Sequence, residues 1–336
     1  MLTVAVTGPT GEIGRPFIAA LERTAEVGRV LGMARRPFDP SERGWTKVEY
    51  RQGDILDRAA VDRLVEGADV VVHLAFIIMT GSGESRAINL AGSRNVFEAA
   101  AAAGVKRLVY TSSVAAYGFH GDAPGLLTEE TPLRGSSAHP YSEQKAEVEQ
   151  ALVETLAGSA TDVYVFRPCI VAGPDAPILV ESIPLIGLDE HLPDALRRIV
   201  GSVPLPKPVI PDTGVPLQLV HHDDVAAALC AATVGRGSPG IYNLAAPGEV
   251  TIADLAHELG WHAIPVPRLA LDATAEVVAR VPLLPNGASW IEALRWPVLM
   301  DTARARRELN WHPRHDTRET LRQTVAAWRE RQRSTV

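Results

Sequence analysis

The first fourteen residues constrain this chain more than any other stretch. An apolar run over residues 2–6 leads straight into Thr7-Gly8-Pro9-Thr10-Gly11-Glu12-Ile13-Gly14, which sets three glycines at intervals of three. A short apolar run bounded by glycine is the pattern of a strand buried on both faces. Over residues 12–23 the spacing turns helical, with Ile13, Phe17, Ala20 and Leu21 on one side. A strand that passes through a glycine turn into a helix is half of a βαβ unit, so a parallel sheet is expected from the outset.

The alternation continues along the chain. Further strands are expected over residues 29–34, 47–51, 69–76, 107–113 and 162–168, and helices over 54–66, 89–103 and 141–157. Gly104 stops the alanine-rich third helix. The expected fold class is α/β: a Rossmann-type doubly wound parallel sheet over residues 1–168, with helices on both faces. Past Pro168 the rhythm breaks, and residues 173–218 are rich in proline and glycine. Residues 169–218 and 236–336 are expected to form a smaller C-terminal substrate-binding lobe, with final helices over 301–309 and 316–331. Residues 219–235 (LVHHDDVAAALCAATVG) read as a short strand and a helix that return to the sheet domain.

Composition excludes several functions. A formal net charge of −7 argues against a nucleic-acid surface, which needs a basic footprint. Nothing approaches the ~20 apolar residues of a membrane span. The chain enters a strand at once, so no signal peptide is expected, and two cysteines, Cys169 and Cys230, suit a reducing cytoplasm. No metal is expected: most of the ten histidines are scattered, and adjacent side chains such as His221 and His222 rarely aim at one ion.

The glycines suggest a ligand. A helix N-terminus offers free amides and a positive dipole end, which suit a dinucleotide pyrophosphate. Gly8 permits the tight turn, Gly11 lets backbone approach phosphate, and Gly14 allows close helix–strand packing. Thr10, Glu12 and Ile13 complete this cradle. A carboxylate after the second strand would select NAD(H); here the stretch is Ala34-Arg35-Arg36, and guanidinium forks match a 2′-phosphate. NADP(H) is therefore expected over NAD(H). Asp54, followed by Ile55, is a candidate for hydrogen bonding adenine or for capping a helix.

Tyr141 and Lys145 stand four residues apart on one helical face. A free phenol, with pKa near 10, holds its proton too tightly to be a base at neutral pH; a nearby ammonium lowers that value. The pair predicts proton transfer at an oxygen whose carbon gains or loses hydride.

With these motifs in view, the chain resembles the extended short-chain dehydrogenase/reductases, the branch that holds NDP-sugar epimerases, dehydratases and several reductases. The resemblance spans nearly the whole chain and rests on TGPTGEIG, GDILD, HLAF, NLAGSRNVFEAA, TSSVAAYG, TEETPLR, YSEQK, FRPCIVAGP, LVHHDDVAAAL and DTARARRELNWHPR. It implies Ser113 as the catalytic serine that orients the substrate oxygen, with Ser112 the alternative if the register slips by one. It further implies that Lys145 touches the nicotinamide ribose, that Leu74, Ala75, Phe76, Thr111 and Ser112 line the cofactor cleft, and that Arg167, Pro168 and Ile170 lie near the nicotinamide. Asn89 matches a family asparagine that holds a water in a proton relay. Homodimers through the helices of Asn89 and Tyr141 are common in the family and are expected here.

Three readings compete: an NADP(H)-dependent reductase or dehydrogenase of a small carbonyl or alcohol, a sugar-nucleotide epimerase or dehydratase with retained NAD, and a non-catalytic sensor. Sensors usually lack the tyrosine–lysine pair. Sugar-nucleotide members tend to carry asparagine where this chain has Ile170, and dehydratases an Asp-Glu pair where it has Ser112-Ser113. The reductase reading is favoured. Ile170, Val171, Ile178, Leu179, Val180, Ile183 and Leu185 could line a hydrophobic pocket or form core; His120 and His139 are expected at the surface, and Trp290 and Trp296 in a lobe wall.

Overall fold

A computed structural model describes residues 1–78, 82–181, 183, 208–266 and 295–334. The strands expected from the sequence appear as β1 (Leu2–Thr7), β2 (Val27–Ala34), β3 (Val48–Gln52), β4 (Val70–His73), β5 (Arg107–Thr111) and β6 (Asp162–Pro168). Between them lie α1 (Gly14–Glu22), α2 (Arg58–Val65), α3 (Ser82–Ala103) and α4 (Pro140–Thr155). Three short strands follow, β7 (Ile170–Ala172), β8 (Val209–Asp212) and β9 (Leu219–His221), and then β10 (Gly240–Leu244).

Seven parallel strands form the central sheet in the order β10-β6-β5-β4-β1-β2-β3. The order reverses between β1 and β4, the switch point where doubly wound sheets open a crevice. Register levels the carboxyl ends there: Thr7 pairs with His73, His73 with Tyr110, and Thr111 with Phe166. Alternation along each strand divides the core. Val4, Val6, Val70 and Val72 join one buried cluster with Phe17 and Ile18, while Ala5, Val71, Leu31 and Met33 join the other with Val96 and Phe97. Each Val, Leu, Ile, Phe or Met side chain among them contributes ~1.5–3 kcal/mol of burial, which makes the sheet a rigid platform for the loops at its end.

Several boundaries differ from expectation. Helix α1 begins at Gly14, not at residue 12, because the preceding residues form the glycine turn. Strand β4 stops at His73, three residues early; beyond it Ala75 N donates to Thr7 Oγ1 at 3.4 Å and the backbone leaves the ladder. Helix α3 starts at Ser82, seven residues early, and α2 starts late, at Arg58, where Asp57 caps Ala60 N at 3.2 Å. The largest difference concerns the strand of residues 219–235 and not its helix, whose Val225, Ala226 and Leu229 join the cluster of Val4 and Phe17 as expected. Strand β9 pairs with β7 in a separate two-stranded sheet, and His221 then caps the helix His222–Thr233. The seventh strand of the central sheet is β10, from the stretch assigned to the smaller lobe. A third apolar cluster, with Val180, Leu219, Val250, Leu255, Leu321 and Val325, forms the core of that lobe.

Candidate active site

The glycine turn lies over the carboxyl ends of β1 and β4. Gly8 has φ +73°, and a Cβ there would stand 2.9 Å from Ala75 N; one at Gly14 would stand 2.2 Å from Gly8 O. Both positions therefore need glycine. At Gly11 a Cβ would meet only Gly8 O, at 3.5 Å, so that glycine faces open space rather than packed atoms. Helix α1, with Ile13 at its N-cap position, has no side-chain cap and no acidic residue in its first turn. A shallow cradle beneath an uncapped helix start fits a dinucleotide pyrophosphate on geometry and charge. Arg35 and Arg36 are exposed just past the end of β2, held there by Tyr50 Oη, which donates to Ala34 O at 3.0 Å, and by Gln52 Nε2, which donates to Arg35 O at 2.9 Å. Asp54 accepts Leu56 N at 3.0 Å in a local turn, and Ile55 packs against Gly92 of α3.

Glu12 points away from the cradle. Its carboxylate accepts Ile178 N at 3.1 Å, and burial lifts its pKa from the ordinary value to about 7.

Helix α4 carries the tyrosine and lysine across the mouth of β5. Tyr141 faces Ser113, whose Oγ accepts Ala115 N at 3.2 Å. Burial raises the phenol's pKa, and the serine offsets only part of that rise. This corrects the expectation that the lysine lowers it. The Lys145 ammonium is turned elsewhere: Nζ donates to Thr111 O at 3.0 Å and to Tyr110 Oη at 3.5 Å, and lies 3.8 Å from the Phe76 ring centroid. Its distance to the Tyr141 ring centroid is 5.8 Å. Burial brings the lysine down to about 7, against the pull of Glu149.

Glu149, one turn beyond Lys145 on α4, went unnoticed in the sequence, although its spacing repeats that of Tyr141 and Lys145. Its carboxylate accepts Ser112 Oγ at 2.5 Å, Arg167 Nε at 3.0 Å and Arg167 Nη2 at 2.6 Å. Ser112 and the Arg167 guanidinium thus serve a buried ion pair beneath the site, and of the two serines it is Ser113 that meets Tyr141. Arg167 also stacks on Tyr117, 4.5 Å from the ring centroid, and Tyr117 Oη donates to Asn243 Oδ1 of β10 at 2.7 Å. Pro168 ends β6 beside Leu244, and Ile170 begins β7 opposite Leu219.

Asn89 is fully buried. Its amide clamps Ile77, accepting Ile77 N at 2.9 Å and donating to Ile77 O at 3.0 Å, and it donates to Gln144 Oε1 at 2.8 Å. Leu74 N and Ala75 N both bond to Thr7, at 3.2 and 3.4 Å. His73, between Thr7 Oγ1 at 2.7 Å and Ser93 Oγ at 3.0 Å, is pressed down to about 3 by burial and stays neutral.

His139 is buried rather than at the surface. Its Nδ1 caps α4 by accepting Ser142 N at 3.2 Å, and its ring centroid lies 6.2 Å from that of Tyr141. His120 is part-buried and bonds to Gly135 O at 2.6 Å. Trp296 packs against Gly121, where a Cβ would lie 2.7 Å from the indole. Trp290 and Leu185 lie outside the described residues. Val180 is core, with Ile170, Leu179 and Ile183 packed around it. His221 and His222 do converge, contrary to expectation: their ligand atoms and a carboxylate oxygen of Asp223 lie within 4.8 Å of one another. The strand-to-helix turn between them brings the rings to 4.2 Å between centroids. Their nitrogens are engaged by Asp223 N, Asp223 Oδ1, Gln323 Oε1 and Asp175 N at 3.0–3.2 Å. No helix among the described residues is long and apolar enough to cross a membrane.

The profile of the NAD dependent epimerase/dehydratase family matches residues 4–245. The chain belongs to that family. Among its relatives, the sterol demethylase protein B of Methylococcus capsulatus is 30% identical over 178 residues, 52% of this chain and 52% of the relative. The ceramide reductase of Caulobacter vibrioides is 40% identical over 114 residues, 34% of this chain and 35% of the relative. The alignments thus span about half and about a third of those relatives' own lengths. Among solved structures, MoeE5 in complex with UDP-glucose and NAD superposes with a TM-score of 0.72 at 20% identity, covering 99% of this chain and 100% of that one. This family member shares the extended short-chain dehydrogenase/reductase fold.

Proposed function

We propose that this family member is an NADP(H)-preferring oxidoreductase that reduces a carbonyl group of a small, largely apolar substrate to an alcohol. The observation that carries the reading is the state of Tyr141: a phenol beside Ser113 whose pKa is raised by desolvation, so that it stays protonated. Such a phenol is a proton donor, which a carbonyl oxygen gaining negative charge requires. Ser113 would hold that oxygen beside the phenol, and the positive charge of Lys145 would stabilise the phenolate left after transfer. The dinucleotide supplies the hydride when bound. Gly8, Gly11, Gly14 and the uncapped start of α1 would hold its pyrophosphate, and Arg35 and Arg36 its 2′-phosphate.

Two further points favour the reading. The exposed arginines stand where a carboxylate would select the unphosphorylated ribose. The names of two relatives, a sterol demethylase protein and a ceramide reductase, concern lipid substrates, in keeping with an apolar carbonyl compound as substrate.

The test begins with denaturation of the purified protein and identification of any released nucleotide. Reduced cofactors are then titrated into the free protein, and carbonyl compounds are screened for NADPH consumption. Tighter binding of NADPH and a loss of at least about 100-fold in turnover for Tyr141→Phe are expected. Full turnover by that variant would overturn the reading. Retained NAD that does not exchange would replace it with a sugar-nucleotide epimerase.

A further inference from the structure

The ring of Phe76 is held in place by its neighbours rather than by its own contacts alone. On one side Ala75 N is bonded to Thr7 Oγ1 at 3.4 Å; on the other, both backbone groups of Ile77 are clamped by Asn89, at 2.9 and 3.0 Å. Between these anchors the part-buried ring faces two side chains. Its face meets the Lys145 ammonium, 3.8 Å from the centroid, and it stands perpendicular to Tyr141 at 5.6 Å between centroids.

A lysine has three N–H donors. Thr111 O takes one at 3.0 Å, Tyr110 Oη is a long second partner at 3.5 Å, and the third side of the ammonium is covered by the Phe76 π-face. The negative face of an aromatic ring attracts a desolvated cation strongly, and an aliphatic side chain of similar size does not. The other groups facing Lys145 are His73 from β4, Tyr110 from β5, and Tyr141 and Glu149 from α4. His73 is neutral, and Glu149 is the one carboxylate among them, already engaged by Arg167 and Ser112.

We propose that Phe76 is a positioning residue for Lys145: its ring face keeps the lysine charged and turned away from Tyr141. Phe76 therefore sets two things together, the fraction of lysine that is protonated and, through it, the pH profile of turnover. The second part rests on the oxidoreductase reading; the first does not.

The chain has four lysines, Lys47, Lys106, Lys145 and Lys207, so the protein labelled with 13C at lysine Cε gives four side-chain signals whose shifts report protonation directly. Lys145→Met assigns the signal. In the intact protein without cofactor, one signal is expected to titrate near 7. In Phe76→Leu that midpoint should fall by about one pH unit, the size of a desolvated cation–π contact. Phe76→Tyr, which keeps a π-face, should stay near the wild-type midpoint. A second probe removes any question of folding: 3,4,5-trifluorophenylalanine at position 76 keeps the ring's shape, weakens its negative face and should also lower the midpoint. An unchanged midpoint in Phe76→Leu or in the fluorinated protein would overturn the proposal. In turnover assays, the pH profile of Phe76→Leu should move by the same amount as the lysine signal; a profile that stays put would overturn the positioning role. Should Tyr141→Phe keep full turnover, the oxidoreductase reading fails while the lysine titration still decides the electrostatic role of Phe76.

Discussion

Ser112 and Ser113 are chain neighbours that serve opposite sides of the site: Ser112 Oγ donates to the buried Glu149 carboxylate at 2.5 Å, whereas Ser113 faces Tyr141 and its Oγ accepts Ala115 N at 3.2 Å. Alternation along an extended backbone separates them, so adjacent hydroxyls acquire different work. Ser113→Ala should lower turnover about 100-fold with little change in melting temperature. Ser112→Ala should instead cost about 1–3 kcal/mol of stability by removing a bond to a buried charge. Urea titrations and steady-state rates on both variants separate the roles; equal losses of activity from the two would contradict the division.

The Glu149–Arg167 pair is enclosed, with both side chains at most 4% exposed. Breaking such a pair leaves an uncompensated charge in the interior, so Arg167→Met should destabilise the protein by about 3–5 kcal/mol. Replacing both partners, Glu149→Leu with Arg167→Met, should recover much of that loss, because neither charge remains. Chemical denaturation of the single and double variants measures it, and a double variant as unstable as the single one would rule the account out.

Glu12 supplies a pH dependence of stability. Its folded pKa, about 7, lies above the ordinary carboxylate value, so the fold prefers the protonated form. The associated stability is fully present below the unfolded pKa of about 4.5 and is lost as pH rises through 7. Glu12→Gln, which stays neutral and can still accept Ile178 N, should therefore stabilise the protein at pH 8 by up to about 3 kcal/mol and have little effect at pH 4. Melting curves at the two pH values provide the check; an equal shift at both would point to packing instead of ionisation.

Arg35 and Arg36 bear on cofactor choice. Replacing both with alanine should weaken NADPH binding by about tenfold or more while leaving NADH affinity nearly unchanged, since only the former carries a 2′-phosphate for the guanidinium forks. Fluorescence titration of each reduced cofactor reads the difference. Parallel losses for both cofactors would mean that the arginines do not discriminate.

Much of this architecture was legible in the sequence because the relevant signals are local. Residues 2–6 run apolar into glycine, so β1 and the turn that follows are written in one short stretch. Strand β10 left no comparable mark: Gly240-Ile241-Tyr242-Asn243-Leu244 is brief, begins with glycine and holds a buried asparagine. It is a strand because the edge of β6 is available to it and because Asn243 finds Tyr117 and Leu127 O as partners. His139 was misplaced for a related reason. A histidine in a polar loop looks exposed until the loop folds over the start of α4 and gives its ring a capping role.

The sequence by itself determined the doubly wound α/β class, the glycine turn and the placing of Tyr141 and Lys145 one helical turn apart. Those features follow from strand and helix periodicity, which covalent geometry sets over a few residues. Only the tertiary structure decided that Glu149 meets Arg167, that Phe76 covers Lys145, and that burial raises the Tyr141 phenol while lowering the lysine. Ionisation in a folded chain depends on how much water has been removed and which charges remain near. Both are supplied by segments far apart in sequence, brought together when the sheet and helices pack.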